Sequence, residues 1–381
     1  MATVSSTGLV SGLNIEDIIS KLMAVESRPL DRVKSEKTGY ESKISSFGSL
    51  LNSISTLKSA NSPLKSSTVL GMKAGSSDTS VFTATATSSA SAGSYNIKVN
   101  QLAQAHAVYS GAYAADTSAI GTGTLSIQVG SAAAVNVTID GTNNTLNGVR
   151  DAINAANAGV KASVINDGTA GYRLVVTSNT TGAANTVNVT VADDDLNNTD
   201  ASGLSALSYT TGAYNLTESQ IAKDAILVFD SLTVTRSSNT IADLISGVTI
   251  TLKKDSAGAT HTLTLSKDTD DLKSKLNSYV SSYNKLVSEI KAQQGTQSAQ
   301  GPMYNESTTD SLMRNLRQIT ITDYSGSTLA AMGVTHDKYG VLSLDSTRFD
   351  EALADNESGV IATLNSMAAS FESVLDDYVN V

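Results

Sequence analysis

The chain has 381 residues, with 26 Lys plus Arg against 36 Asp plus Glu, for a formal charge of −10. An acidic chain of this kind lacks the basic surface that displaces counterions from phosphates or docks on anionic lipid, so nucleic-acid binding and lipid docking are set aside, and the want of a run of about 18 apolar residues sets aside a membrane span. With no Cys it has no disulfides, thiolate metal sites or Cys nucleophile, and with no Trp, 5 Phe and 13 Tyr it lacks the material for one large aromatic core.

Asn14 is placed to cap a helix, with Glu16 and Asp17 opposing the helix dipole in the first turn. Ile15, Ile18, Leu22 and Val25 follow at steps of 3, 4 and 3. Pro29 is expected to interrupt this helix, because it lacks an N–H and crowds the preceding turn. A second register then runs Leu30, Val33, Lys37, Tyr40, Ile44, Phe47, Leu51 and Ile54, alternating steps of 3 and 4. That heptad pattern suits either a long bundle helix or a coiled-coil partner.

Residues 61–93, rich in Ser, Thr, Ala and Gly, read as a connector into sheet. From 94 to 266 polarity alternates with period 2, as in Tyr95, Ile97 and Val99 or Leu125, Ile127 and Val129, which predicts half-buried antiparallel strands. One amphipathic helix is expected at Leu146, Val149 and Ile153. Residues 124–177 read as strand, strand, helix, strand, strand. The same order is expected in 225–266, with a short helix at 241–245. The stretch 192–220 reads as a long loop or an insertion.

After Asp268, placed to cap, the period becomes helical again: Leu272, Leu276, Tyr279, Tyr283, Leu286 and Ile290. This seam is expected to pair with Tyr40, Ile44, Phe47, Leu51 and Ile54 as an intramolecular helix pair. A Gln/Gly/Ser linker at 292–302, a short helix at Leu312, Leu316 and Ile319, and a hairpin around Asp337-Lys338-Tyr339-Gly340 follow. Val360, Leu364, Met367, Phe371, Val374 and Tyr378 form a last seam running to Val381, and its unclosed end reads as a truncated copy whose N-terminal seam lacks a partner. The expected fold class is α+β: long terminal coiled-coil-like helices forming a leg, with a two-lobed antiparallel β-rich head inserted between them.

Motifs for chemistry are sparse. His106, His261 and His336 fall on separate elements with no HExxH spacing. No GxSxG elbow or phosphate loop occurs, and Gly121-Thr122-Gly123 opens a strand rather than a helix. Asp193, Asp195 and Asn197 imitate the start of a calcium loop, but Asn198 and Leu204 stand where Gly and Glu are needed. The pairs Asp376-Asp377 and Asp350-Glu351 read as solvated helix faces. No enzyme activity, cofactor or metal is expected.

The segment Gly8-Leu9-Val10-Ser11-Gly12-Leu13-Asn14-Ile15-Glu16-Asp17-Ile18-Ile19, with Pro29-Leu30, resembles the N-terminal motif of the flagellar filament cap (hook-associated protein 2) family. Arg236-Ser237-Ser238-Asn239-Thr240-Ile241, Tyr283-Asn284-Lys285-Leu286 and Met332-Gly333-Val334-Thr335 resemble that family's C-terminal region. The resemblance implies a homo-oligomeric ring, a pentamer being one form, at the distal filament tip. There it would retain exported flagellin and promote its polymerisation. Partners implied are flagellin, hook-associated junction proteins and a cytoplasmic export chaperone, and the implied route is type III export, in keeping with an N-terminus that lacks a cleavable signal pattern. It further implies filament or subunit contact through Leu13, Ile15, Ile18, Ile19, Leu22 and Val25. Family members carry a further C-terminal helix that is not evident in this chain. The expected domains are 1–40 (an N-terminal leg segment), 41–75 with 268–381 (leg), 76–124 with 220–267 (a β-rich domain near the leg) and 125–219 (a distal β-rich domain). A flagellin or hook–filament junction protein, and a surface adhesin with a β-rich binding head, are the rival readings.

Overall fold

Pro29 does not end its helix. The computed structural model describes residues 15–324 and 326–379, and its first element, α1 (Ile15–Asn61), continues on both sides of that proline. An internal proline costs about 3 kcal/mol, but only one backbone bond is lost in a helix of 47 residues. Glu16 and Asp17 at its start and Lys58 at its end suit the dipole. Ion pairs one turn apart join Asp17 to Lys21, Arg32 to Glu36 and Lys37 to Glu41, each worth about 0.3–0.5 kcal/mol. The expected cap at Asn14, the contact residue Leu13 and the end at Val381 lie outside the described residues.

The described residues form two compact units, one of Met72–Lys267 and the other of residues up to Gly71 together with those from Asp268 onward. The first unit is built from β1 (Met72–Ser76), β2 (Phe82–Ala86), β3 (Gly93–Gln101), β4 (Ala105–Tyr109), β5 (Gly123–Val129), β6 (Val135–Ile139), α2 (Leu146–Ala155), β7 (Val160–Asn166), β8 (Tyr172–Thr181) and β9 (Val187–Asp193). It continues with β10 (Tyr209–Thr210), β11 (Ala213–Tyr214), β12 (Thr217–Gln220), β13 (Ala225–Phe229), β14 (Leu232–Arg236), β15 (Thr240–Ile245), β16 (Val248–Leu252) and β17 (His261–Lys267). The strands pair antiparallel, and their inward positions fill two separate cores.

One core lies between the sheets β1-β17-β3-β13-β14 and β15-β16-β2 and is centred on Phe82, Ile97, Leu227, Ile250 and Leu263. The other lies between β11-β10-β9-β5-β6 and β12-β4-β8-β7, with Leu125, Ile127, Ile139 and Leu174 meeting Leu146, Val149 and Ile153 of α2. That helix starts as expected, its Thr145 hydroxyl accepting a bond from the Gly148 N–H.

Four expectations for this region are corrected. Residues 61–93 contain β1 and β2 rather than a connector throughout, since Phe82 and the alternation around it are enough to bury one face. The boundary of the unit falls after Gly71, not after residue 75, because β1 pairs with β17. Residues 241–245 are strand: Ile241 is buried opposite Ile250, and the two-lobed repeat with a helix in each half is absent. Residues 192–220 are not one long loop, because Leu204, Leu207 and Leu216 anchor a short 3₁₀ turn and three strands to the second core.

The other unit pairs α1 with α3 (Thr269–Gln294), α4 (Ser307–Ile321), the hairpin β18 (Val334–His336) and β19 (Leu342–Leu344), and α5 (Ser346–Val379). Asp268 caps α3, its side chain accepting from the Asp271 N–H. Tyr279 and Tyr283 stack edge-on against Phe371 of α5 at 5.3 and 6.2 Å between ring centres. Within α5 the backbone breaks at Asn356, whose side chain accepts from the Gly359 N–H and so caps the half that carries the expected seam from Val360. The expected linker at 292–302 is instead a tight ordered turn. Gly295 turns at φ +70° where a Cβ would sit 2.3 Å from the Ala299 carbonyl, and Met303 is fully buried behind it.

Candidate functional site

Leu272, Leu276, Tyr279, Tyr283 and Leu286 all lie in the core of the helical unit, as their spacing predicts. Their partners on α1 are not those expected. Tyr40 is 66% exposed, Ile44 71% and Leu51 44%, while Phe47 is half-buried and Ile54 alone of the five is fully enclosed. The buried stripe is Leu50, Ile54 and Leu57, and it continues to Asn61, whose amide donates to the Ala368 carbonyl at 2.7 Å.

Helical geometry explains the division. At about 100° per residue, Leu22, Val33, Tyr40, Ile44 and Leu51 share one side of α1, within about 20° of one direction. Leu50, Ile54 and Leu57 lie about 100° around from it. The heptad pattern in the sequence is therefore a real stripe, but one that faces outward beside the buried one. Leu50 and Leu57 flank Ile54 at steps of 4 and 3 in the sequence, the signal that marks the second face and that the first pattern masked.

At the N-terminal end of the buried stripe the Ser46 hydroxyl donates to Gln293 of α3 at 2.6 Å, and Lys43 pairs with Glu306 just beyond. From Glu16 to Ser42 every described side chain on α1 is exposed except Ser27, which is half-buried. This stretch is about 40 Å of helix at 1.5 Å per residue. It presents Ile18, Ile19, Leu22, Met23, Val25, Leu30 and Val33 to solvent. Ile15 lies in the helix, its side chain outside the described residues. Met23 was not singled out by the heptad reading, yet it widens the stripe beside Ile19 on the next turn. So many exposed large apolar side chains along one stretch of helix mark an interaction site, since singly exposed residues would be scattered over the surface.

Elsewhere His106, His336 and the acidic loop are occupied structurally. His106 is buried; its Nδ1 accepts from the Val187 N–H at 3.1 Å, so Nε2 carries the proton and donates to Glu218 at 2.9 Å. His336 lies beside the Thr320 hydroxyl at 2.6 Å, and burial pushes its pKa down. His261 is on β17, and its buried Nε2 has no hydrogen-bond partner among the described residues. In the acidic loop, the Asp193 carboxylate accepts from the Ser205 N–H and Asp195 accepts from the Asn197 N–H. Their oxygens thus close the loop on itself. Among the described residues no group of three or more His, Cys, Asp or Glu is placed to hold a metal. Among them, too, no helix is long and apolar enough to cross a membrane.

Comparison with known proteins agrees with this arrangement. The family model for the flagellar hook-associated protein 2 N-terminus matches residues 11–106, that for its C-terminus matches residues 222–380, and a flagellin hook IN motif matches residues 121–180. The flagellar hook-associated protein 2 of Escherichia coli K12 is 31% identical over 382 aligned residues, covering 96% of this chain and 81% of that protein. The B-type protein of Pseudomonas aeruginosa is 32% identical, covering 92% of this chain and 78% of its own length. The crystal structure of the D1-D2-D3 domains of the flagellar cap protein FliD from Escherichia coli superposes with a TM-score of 0.68 at 30% identity, covering 88% of this chain and 99% of that one. The chain therefore belongs to the flagellar hook-associated protein 2 family, with the mixed helix and antiparallel sheet architecture of its solved members.

Proposed function

We propose that this protein caps the distal end of a bacterial flagellum, outside the cell, where it retains exported flagellin and promotes its addition to the growing filament. The observation that carries the reading is the apolar stripe of α1, exposed among the described residues along several turns before the Lys43–Glu306 pair. A helix face of this kind is incomplete in the isolated subunit and gains its stabilisation from neighbours. Contact through Ile15, Ile18, Ile19, Leu22 and Val25, with Leu13 before them, would be adjustable, because coupled ordering and binding trades affinity for reversibility. That suits a cap that must shift as each new subunit arrives.

In this reading residues 1–40 are the contact segment, and 41–71 with 268–381 form the leg. Residues 72–124 with 220–267, and 125–219, are the two β-rich domains. The partners are further copies of the chain in a ring and flagellin at the filament end, with hook-associated junction proteins and an export chaperone met on the way. The match of residues 121–180 to a flagellin hook motif supports kinship with the filament proteins themselves. The work is done by shape and docking rather than by catalysis. The test is expression in a motile strain whose own cap protein is deleted. Restored filaments, with the chain located at their tips by immunogold labelling, are expected; flagellin shed into the medium with the chain present but off the tip would contradict the reading.

A further inference from the structure

The chain crosses twice between the lobe around Ile97 and the lobe around Leu125, at 101–105 and at 220–225. Two lobes joined by two peptide crossings would ordinarily pivot, since a few loop torsions suffice for a hinge. Here each crossing is tied down. Gln104 and Lys223 exchange backbone bonds at 2.8 and 3.1 Å, so the crossings hold one another. The side-chain amide of Asn239 accepts from the Ala103 N–H at 2.8 Å and donates to the Ala103 carbonyl at 2.9 Å, standing in for a strand partner. Asn239 is itself fixed to the Ile97 lobe, its carbonyl accepting from the Leu252 N–H.

The end of β8 closes the arrangement from the other lobe. The Thr181 hydroxyl donates to the Ser237 carbonyl at 2.6 Å. The Gly182 N–H donates to the Gln104 carbonyl, and the Ala183 N–H donates to the Asp224 carboxylate at 2.8 Å. Gly182 has φ +112°, and a Cβ there would sit 2.6 Å from the Ser237 Cβ, so the two chains meet at a distance only glycine allows. These residues explain in physical terms the Arg236–Ile241 segment that the sequence singled out: Ser237 and Asn239 are its contacts to the other lobe and to the crossing.

We propose that this polar clasp, centred on Gly182 and Asn239, latches the two β lobes into one rigid body, so that a contact made on the Leu125 lobe is transmitted to the Ile97 lobe instead of being absorbed at a hinge. Removing one tie frees a crossing while leaving both apolar cores intact, because neither Asn239 nor Asp224 belongs to either core.

The chain has no native Cys, so Asn136→Cys on β6 and Thr233→Cys on β14, both exposed, place one spin label on each lobe of the full chain without background. Pulsed electron–electron resonance on this pair is expected to give one narrow distance peak. Asn239→Ala and Asp224→Ala are each expected to broaden it at least twofold, with far-UV circular dichroism unchanged. A peak that is already broad in the parent would overturn the clasp. So would a peak that stays narrow in both variants. Two variants at separate ties keep the test decisive if one of them fails to fold.

Discussion

Leu50 and Leu51 are neighbours in the chain and opposites in the structure: Leu50 is 4% exposed against α3, and Leu51 is 44% exposed on the outward stripe of α1. One residue of helix turns the side chain through about 100°. The same helix therefore carries a face that holds the helical unit together and a face that is exposed among the described residues.

That division predicts a contrast in stability. Leu50→Ala removes a buried side chain from the helical core and is expected to cost about 2–4 kcal/mol. Leu51→Ala lies on the exposed face and is expected to stay within about 0.5 kcal/mol of the parent. Urea unfolding followed by circular dichroism measures both. Equal losses would mean that Leu51 has an intramolecular partner.

Tyr279 offers a second check on the core. Its ring is enclosed among Tyr283, Tyr324 and Phe371, burial drives its pKa well above the usual tyrosine value, and its hydroxyl has no hydrogen-bond partner among the described residues. A buried hydroxyl without a partner costs about 1–3 kcal/mol. Tyr279→Phe keeps the ring and its packing, so it is expected to raise stability by about 1 kcal/mol. A loss of stability in the same unfolding measurement would show that the hydroxyl is satisfied.

In the Leu125 lobe the turn at Asp167 is expected to weaken in acid. The Arg173 guanidinium, 2.8 Å from Asp167, holds that carboxyl far below the usual range, helped by the N–H groups of Thr169, Ala170 and Gly171. A lowered folded-state pKa stabilises the protein at pH values above the unfolded-state value, about 4, and that contribution fades as pH falls further. Lowering the pH from 5 to 2 is thus expected to reduce the thermal midpoint of the parent more than that of Asp167→Asn. Parallel curves would remove Asp167 from the account.

The sequence shows some of this and hides the rest for identifiable reasons. α3 is readable because Leu272, Leu276, Tyr279, Tyr283 and Leu286 keep one period against one partner. α1 is misleading because two apolar stripes overlap in one helix, and the more regular one, through Tyr40, Ile44 and Leu51, faces solvent. Pro29 breaks a local rule that a helix of this length overrides. Residues 241–245 read as helix in the sequence, whereas pairing with β16 makes them strand. That pairing is long-range and leaves no local mark. The clasp is invisible in advance for the same reason, since Gly182 and Asn239 are brought together by topology and not by proximity in the chain.

Charge placed on the outward stripe of α1 tests most directly whether that stripe is the working surface. Leu22→Asp and Ile44→Asp alter exposed positions, so the thermal midpoint of the purified chain is expected to stay within about 2 °C of the parent, as for surface changes worth under about 0.5 kcal/mol. In the cap-deleted strain the same variants are expected to be secreted normally and to abolish filament growth, measured as filament length by electron microscopy. Filaments of parental length from both variants would contradict the central claim.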